Sequence, residues 1–171
     1  GPFCSLTLGE LGAEIIKVES PKGDPARQFG PPFIKDESIY FMSVNRNKKS
    51  ICLNMKNASG LRLAKKLCEK ADILIENFRP GIMEKFGLSY DSLSPNNSKL
   101  IYCSISGYGQ DGPYRDRPAH DLTYQAMAGL LANLIPSGHF SGRPGVAIGD
   151  LSSGMFAVIG VLSALNYREK T

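Results

Sequence analysis

Residues 143–156, RPGVAIGDLSSGMF, set a single carboxylate among small and apolar neighbours. Asp150 follows the apolar run Val146, Ala147 and Ile148 and then Gly149; Ser152, Ser153 and Gly154 follow it, and an apolar helical run reaches Tyr167. The carboxylate is therefore expected where a loop or short strand turns into a helix. One reading is a helix cap, since an N-terminal Asp satisfies orphan backbone N–H groups. The other is chemical. The positive end of the helix dipole favours an ionised carboxylate, small neighbours leave room for a substrate carbonyl, and free N–H groups could hold a developing oxyanion. Asp150 alone does not choose between them. A second acidic position, Asp121, follows His120 at the start of another expected helix. A His at that place suits a helix cap or lining.

The elements that must position these groups alternate between strands and helices. Helical spacing of Phe3, Leu6, Leu8 and Leu11 predicts a helix over 3–11, with Gly12 as the stop. Residues 13–18 read as a buried strand, 19–36 as a long Pro/Gly loop, and 37–45 as a short helix or turn. Strands are expected at 50–53, 72–75 and 100–105. An amphipathic helix is expected at 58–71, where Leu61, Leu63, Ala64 and Leu67 alternate with charges. Short turns of helix fall at 83–86 and 90–93. A longer helix spans 122–133, a Pro/Gly loop 135–145, and the last helix follows Asp150. Such alternation argues for an α/β fold with an open, mainly parallel, Rossmann-like sheet flanked by helices.

Ligands of such sheets bind beyond the carboxyl ends of the strands. Glu19, Lys56, Asn77, Phe78, the loop SISGYGQDG at 104–112 and Asp150 all fall there. The glycine loop is neither a GxGxxG fingerprint nor a P-loop, because it lacks the Lys-Ser/Thr pair that grips phosphate and Mg²⁺.

At 171 residues the chain is long enough for one core, and its apolar and charged fractions, 42% and 21%, are those of an ordinary globular protein. The net charge of +4 is mild, and the one basic cluster, Arg46, Lys48 and Lys49, suits a phosphate-bearing small molecule or a solvated face better than nucleic acid. Cys4, Cys52, Cys68 and Cys103 lack metal-ligand spacing, so no metal is expected; they read as small hydrophobes of a reducing compartment, here the cytoplasm. The longest apolar stretch, 155–165, is too short to span a bilayer, so no membrane partner is expected. A chain that opens without Met and ends within or just past a helix is expected to be part of a longer one.

Five segments in fixed order carry a resemblance over the whole length: GPFCSLTLGELGAEIIKVESPKGD, SVNRNKKSICLNMK, ADILIENFRPG, LIYCSISGYGQDGPY and GDLSSGMFAVIGVLSAL. Together they resemble the class III (CaiB/BaiF-type) CoA-transferases, a superfamily that also holds the α-methylacyl-CoA racemases. The resemblance implies that residues 1–171 are a partial CoA-binding and catalytic domain, with a first strand before Gly1 and a smaller C-terminal domain missing. It also implies an interlocked homodimer of the full-length protein. By the same resemblance Asp150 attacks an acyl-CoA thioester and becomes a mixed anhydride, and CoA passes to a small carboxylic acid. Leu53, Lys56, Asn77 and Phe78 match CoA contacts, as does Lys85 where a relative has Arg. Ser20 and Pro118 stand where relatives carry Arg and Lys, with Arg117 next to the latter. Ala119-His120-Asp121 is similar to the racemase GHD motif, where His120 and Asp150 would work on opposite faces of an α-carbon. The long segment 30–50 is like the transferases. A non-catalytic CoA-binding fragment is the third reading, and the discriminator is whether His120, Asp150, Lys56 and Asn77 stand around one cavity.

Overall fold

The computed structural model of the chain describes residues 1–118, 120–133 and 144–171. Ala119, Arg143 and nearly all of the expected loop at 135–145 lie outside the described residues.

Helix α1 (Pro2–Glu10) leads to strand β1 (Ile16–Glu19). The segment expected as a loop, 19–36, carries more order than that. A 3-10 turn, Pro25–Gln28, is capped by Asp24, whose Oδ1 accepts from Ala26 N at 2.8 Å. Two-residue strands β2 (Phe33–Ile34) and β3 (Glu37–Ser38) then pair as an antiparallel hairpin. Ser38 caps α2 (Ile39–Asn45) through Phe41 N, 3.1 Å from its Oγ. There follow β4 (Lys49–Cys52), α3 (Ala58–Lys70), β5 (Ile73–Glu76), the short helices α4 (Ile82–Lys85) and α5 (Tyr90–Leu93), and β6 (Ile101–Ser104). The helix expected over 122–133 is two, α6 (Asp121–Met127) and α7 (Leu130–Asn133), broken where Gly129 takes φ +73°. The chain closes with α8 (Ile148–Lys170).

The parallel pairing is present as two separate pairs. β1 lies against β4, with Ile16 opposite Lys49 and Glu19 opposite Cys52; β5 lies against β6, with Ile73 opposite Ile101 and Glu76 opposite Ser104. Side chains of β5 and β6 alternate between two cores, as strand geometry requires. Leu74 and Tyr102 pack with Leu53, Ala64, Cys68 and Leu93 on the α3–α5 side. Ile73, Ile75, Ile101 and Cys103 pack with Cys4, Leu8, Val158 and Val161 beneath α1 and α8. Covered on both faces, this pair has the near-continuous apolar sequence expected of parallel strands. β1 departs from that pattern: Ile16 and Val18 are 49% and 40% exposed, and the buried side chain of the strand is Glu19.

Glu19 organises the segment that follows β1. Its carboxylate accepts from Arg27 Nε and Nη2, both at 3.0 Å, from Ser50 Oγ at 2.9 Å and from Asp24 N at 3.0 Å. The guanidinium also lies 3.9 Å from the centroid of Phe41. The Arg27 hydrogen bonds dominate burial and hold Glu19 down to about 2. A carboxylate with a depressed folded pKa contributes stability above its unfolded value, about 4.3, that is lost as pH falls toward the folded one. Thermal melts of the full-length protein should therefore lose stability between about pH 4.5 and 2, and Glu19→Gln should flatten that fall while lowering the plateau. Parallel curves for the two proteins would contradict this.

Helix α8 runs 23 residues, well beyond the stretch at 155–165, and by length and composition it is long and apolar enough to cross a membrane. It packs against α1, α6 and β6. Gly154 allows a close approach to α1: a Cβ there would stand 3.1 Å from Phe3 Cδ1 and 3.3 Å from Cys4 N. Its other face, with Met155, Phe156, Ile159 and Leu162, is exposed.

Candidate active site

Of the expected strand or loop before Asp150, Ile148 and Gly149 are already helical. α8 begins at Ile148 with Ala147 as its N-cap, so Asp150 is the third residue of the helix and not its cap. The capping is done by Asp121, from the first residue of α6. Its Oδ1 accepts from Gly149 N at 2.7 Å and from Asp150 N at 3.2 Å. Those N–H groups are therefore taken, and the free oxyanion donors expected there are not available. Asp121 thus does what the cap reading gave to Asp150: it satisfies the helix end and leaves the Asp150 carboxylate without a hydrogen bond among the described residues.

The charges around Asp150 follow from this arrangement. The side chain reaches solvent, yet the groups crowding the rest of it hold off enough water to raise its pKa. Like charge on Asp121 pushes the same way, and His120 pulls in the opposite direction. His120 is the N-cap residue of α6, exposed, and its backbone N donates to Thr123 Oγ1 at 3.4 Å. His120, Asp121 and Asp150 thus come together from two helix N-termini.

Two tyrosines that the sequence did not single out join them. Burial, and then the charge of Asp150, raise the pKa of both Tyr40 and Tyr124. Tyr124 packs edge-on to Tyr108 at 5.7 Å, and its ring fills the space over Gly107 in the glycine loop. Its place four residues after His120, on the same helix face, was a usable signal. Tyr40 comes from α2 across the fold, and local sequence carried no sign of it. It lines an open apolar pocket of about 410 Å³ with Phe29, Pro31, Pro32 and Ile39.

The residues matched to CoA spread along the strand ends. Asn77 is exposed and sits at the start of α1: a Cβ on Gly1 would stand 2.8 Å from its Oδ1. Phe78 is 43% exposed, with its N–H held by Glu76 Oε2 at 2.8 Å. The other oxygen of buried Glu76 accepts from Ser104, which ties the ends of β5 and β6 together. Lys56 and Lys85 are exposed on the β4–α3 connection and at the end of α4, and Met55 and Met83 pack in one core beside them. Leu53 is 7% exposed within that core, so only its backbone can meet a ligand. The basic cluster at 46–49 is spent on structure. Arg46 pairs with Glu10 at 3.1 Å and Lys49 with Glu14 at 2.7 Å. Lys48 is turned inward onto Pro2 O, Val44 O and Asn45 Oδ1, and burial lowers its pKa to about 8. Among the described residues no three His, Cys, Asp or Glu side chains could hold a metal ion.

With this geometry in place, comparison with known proteins is specific. The family model of CoA-transferase family III matches residues 1–171. The chain is 46% identical over its whole length to succinyl-CoA:glutarate CoA-transferase of Mus musculus, of which it covers 39%. It is 44% identical to acetyl-CoA:oxalate CoA-transferase of Acetobacter aceti, again over its whole length, covering 44% of that protein. The crystal structure of a CAIB/BAIF family protein from Brucella suis superposes with a TM-score of 0.90 at 40% identity, over 99% of this chain and 46% of that one. The chain thus spans about two-fifths of the length of the curated relatives it matches. A match across all 171 residues leaves one assignment: the chain belongs to CoA-transferase family III.

Proposed function

We propose that the full-length protein moves coenzyme A from an acyl-CoA to a small carboxylic acid, with Asp150 as the nucleophile. The observation that carries this is the Asp150 carboxylate itself. It stands on the first turn of α8, makes no hydrogen bond to described residues, and has a raised pKa that makes it a stronger nucleophile once ionised. It attacks the thioester carbonyl, the C–S bond breaks, and a mixed anhydride and CoA thiolate result. The acceptor carboxylate then attacks the aspartyl carbonyl and expels the donor acid. The thiolate takes the new acyl group and frees Asp150. Each anhydride is about as activated as the thioester it replaces, so neither step is steeply uphill. Lys56 and Lys85 suit the phosphates of CoA, and Asn77 and Phe78 suit the arm between phosphate and thioester.

The exposed face of α8 supports a homodimer of the whole protein, in which it would be covered. The four cysteines, all free thiols, support a cytoplasmic location. Neither nucleic acid nor membrane is proposed as a partner, the basic side chains at 46–49 being already paired or buried.

One juxtaposition favours a racemase as the second reading. His120 directly precedes Asp121, whose side chain caps the turn that carries Asp150, so an imidazole and a carboxylate come from adjoining helix starts, as a two-base pair on one α-carbon would need. Full-length protein should be incubated with a panel of acyl-CoAs, with and without carboxylic acids, in deuterated solvent. Mass spectrometry then follows CoA exchange and α-deuteration. The expected result is CoA exchange that survives His120→Gln with a modest loss of rate. Wash-in of α-deuterium without CoA exchange, falling about 10²- to 10⁴-fold in His120→Gln, would establish the racemase instead.

A further inference from the structure

Gln125 is a buried polar side chain that the reaction above does not use. It is 2% exposed, and its Nε2 donates to Asp121 Oδ2 at 2.5 Å and to Val146 O at 3.3 Å. Both partners are acceptors, so the amide must turn its NH₂ end toward them. Its buried Oε1 has no hydrogen-bond partner among the described residues. Leaving an acceptor buried and unpaired is costly, so the site keeps this amide for its donors.

Those donors sit one step from the nucleophile. The Asp121 oxygen that Gln125 does not hold is the one that accepts from Gly149 N and Asp150 N. Val146, the second acceptor of Gln125, lies two residues before α8 begins. Gln125 therefore fastens both the cap of α8 and the strand of chain that enters it. Helical spacing makes this a rigid arrangement, since Asp121 and Gln125 are four residues apart on one face of α6. We propose that Gln125 is a positioning residue for CoA transfer: by orienting Asp121 and anchoring Val146 it fixes the first turn of α8, and so the line of attack of Asp150. This rests on Asp150 being the nucleophile.

Two variants of the full-length protein test it beside Asp150→Ala. Gln125→Met keeps the length and removes both donors. A misplacement on the order of 1 Å can cost a reaction about a hundredfold, so kcat should fall about tenfold to a hundredfold while KM for acyl-CoA and the melting temperature stay close to wild type. Gln125→Glu keeps the shape but faces two acceptors with a group that donates only when protonated. Its kcat, relative to wild type, should therefore rise as pH falls, opposite to the acid loss expected of Asp150. A wild-type kcat in Gln125→Met overturns the proposal. So does a pH profile of Gln125→Glu parallel to wild type, or loss of fold in both variants, which would mark the residue as structural. Asp150→Ala separates the two levels. Retained turnover there removes the nucleophile itself; a dead Asp150→Ala beside an unimpaired Gln125→Met removes only the positioning role.

Discussion

Asp150→Ala in the full-length protein should lose CoA transfer by about 10⁴- to 10⁶-fold, the scale on which removal of a covalent nucleophile acts. It should do so without losing stability. The side chain caps nothing, because Asp121 holds the helix N–H groups, and its charge is disfavoured where it stands. The sign of that penalty fixes a second observable. A carboxyl whose folded pKa is raised binds its proton more tightly in the folded state. Stability then falls as pH rises from the unfolded value, about 3.9, through the folded one, and the full penalty remains at neutral pH. Asp150→Ala should therefore melt at or above the wild-type temperature at pH 7, with the difference shrinking as acid protonates Asp150 in the wild type. The same raised pKa should set the acid limb of kcat for the wild type, above the pH at which a free aspartate ionises. Turnover within tenfold of wild type in Asp150→Ala would sink the nucleophile, and a melting temperature several degrees lower would sink the account of who caps α8.

Much of the scaffold was legible because it is periodic. The β5–β6 pair and α3 stand within a residue of where alternation and the 3.6-residue repeat put them. What the sequence could not show lies in short or long-range features. Hairpin β2–β3 has two residues a side, too few to express a period. The split between α6 and α7 turns on Gly129, which interrupts an otherwise continuous pattern. The role of Asp121 depends on a contact with Gly149 and Asp150 across 28 and 29 residues of chain, which no local rule anticipates. Asp150 looked like a cap because it has the residue type of one, and the true cap comes from another helix. The cluster at 46–49 suits a phosphate or a solvated face equally by sequence, because Glu10 and Glu14, its partners, are remote in the chain. Asp121, His120 and Asp150 were nonetheless all named from sequence, and the structure brings them together.

The connection that carries Lys56 can be tested by adding one methyl group. Gly60 lies in the first turn of α3, where a Cβ would overlap the carbonyl oxygen of Asn54 and stand 2.7 Å from its carbonyl carbon. That carbonyl cannot yield freely, since it accepts from Asn57 N at 3.2 Å. Asn57 in turn caps α3 through Gly60 N, 2.7 Å from its Oδ1, and the Asn54 side chain accepts from Lys56 N at 3.1 Å. Gly60→Ala must therefore move backbone, at about 1–3 kcal/mol for overpacking, and disturb a cap worth about 1 kcal/mol. The expected result for the full-length protein is a loss of roughly 2–4 kcal/mol in denaturant melts. The shift also carries Lys56 off its place beside β4, so KM for acyl-CoA should rise more than kcat falls. Alanine is ordinarily the better helix former by up to about 1 kcal/mol. A variant as stable as wild type, or more so, would therefore show that the close approach of α3 to Asn54 does not hold in solution. A destabilised variant with unchanged KM would keep the packing and remove Lys56 from CoA binding.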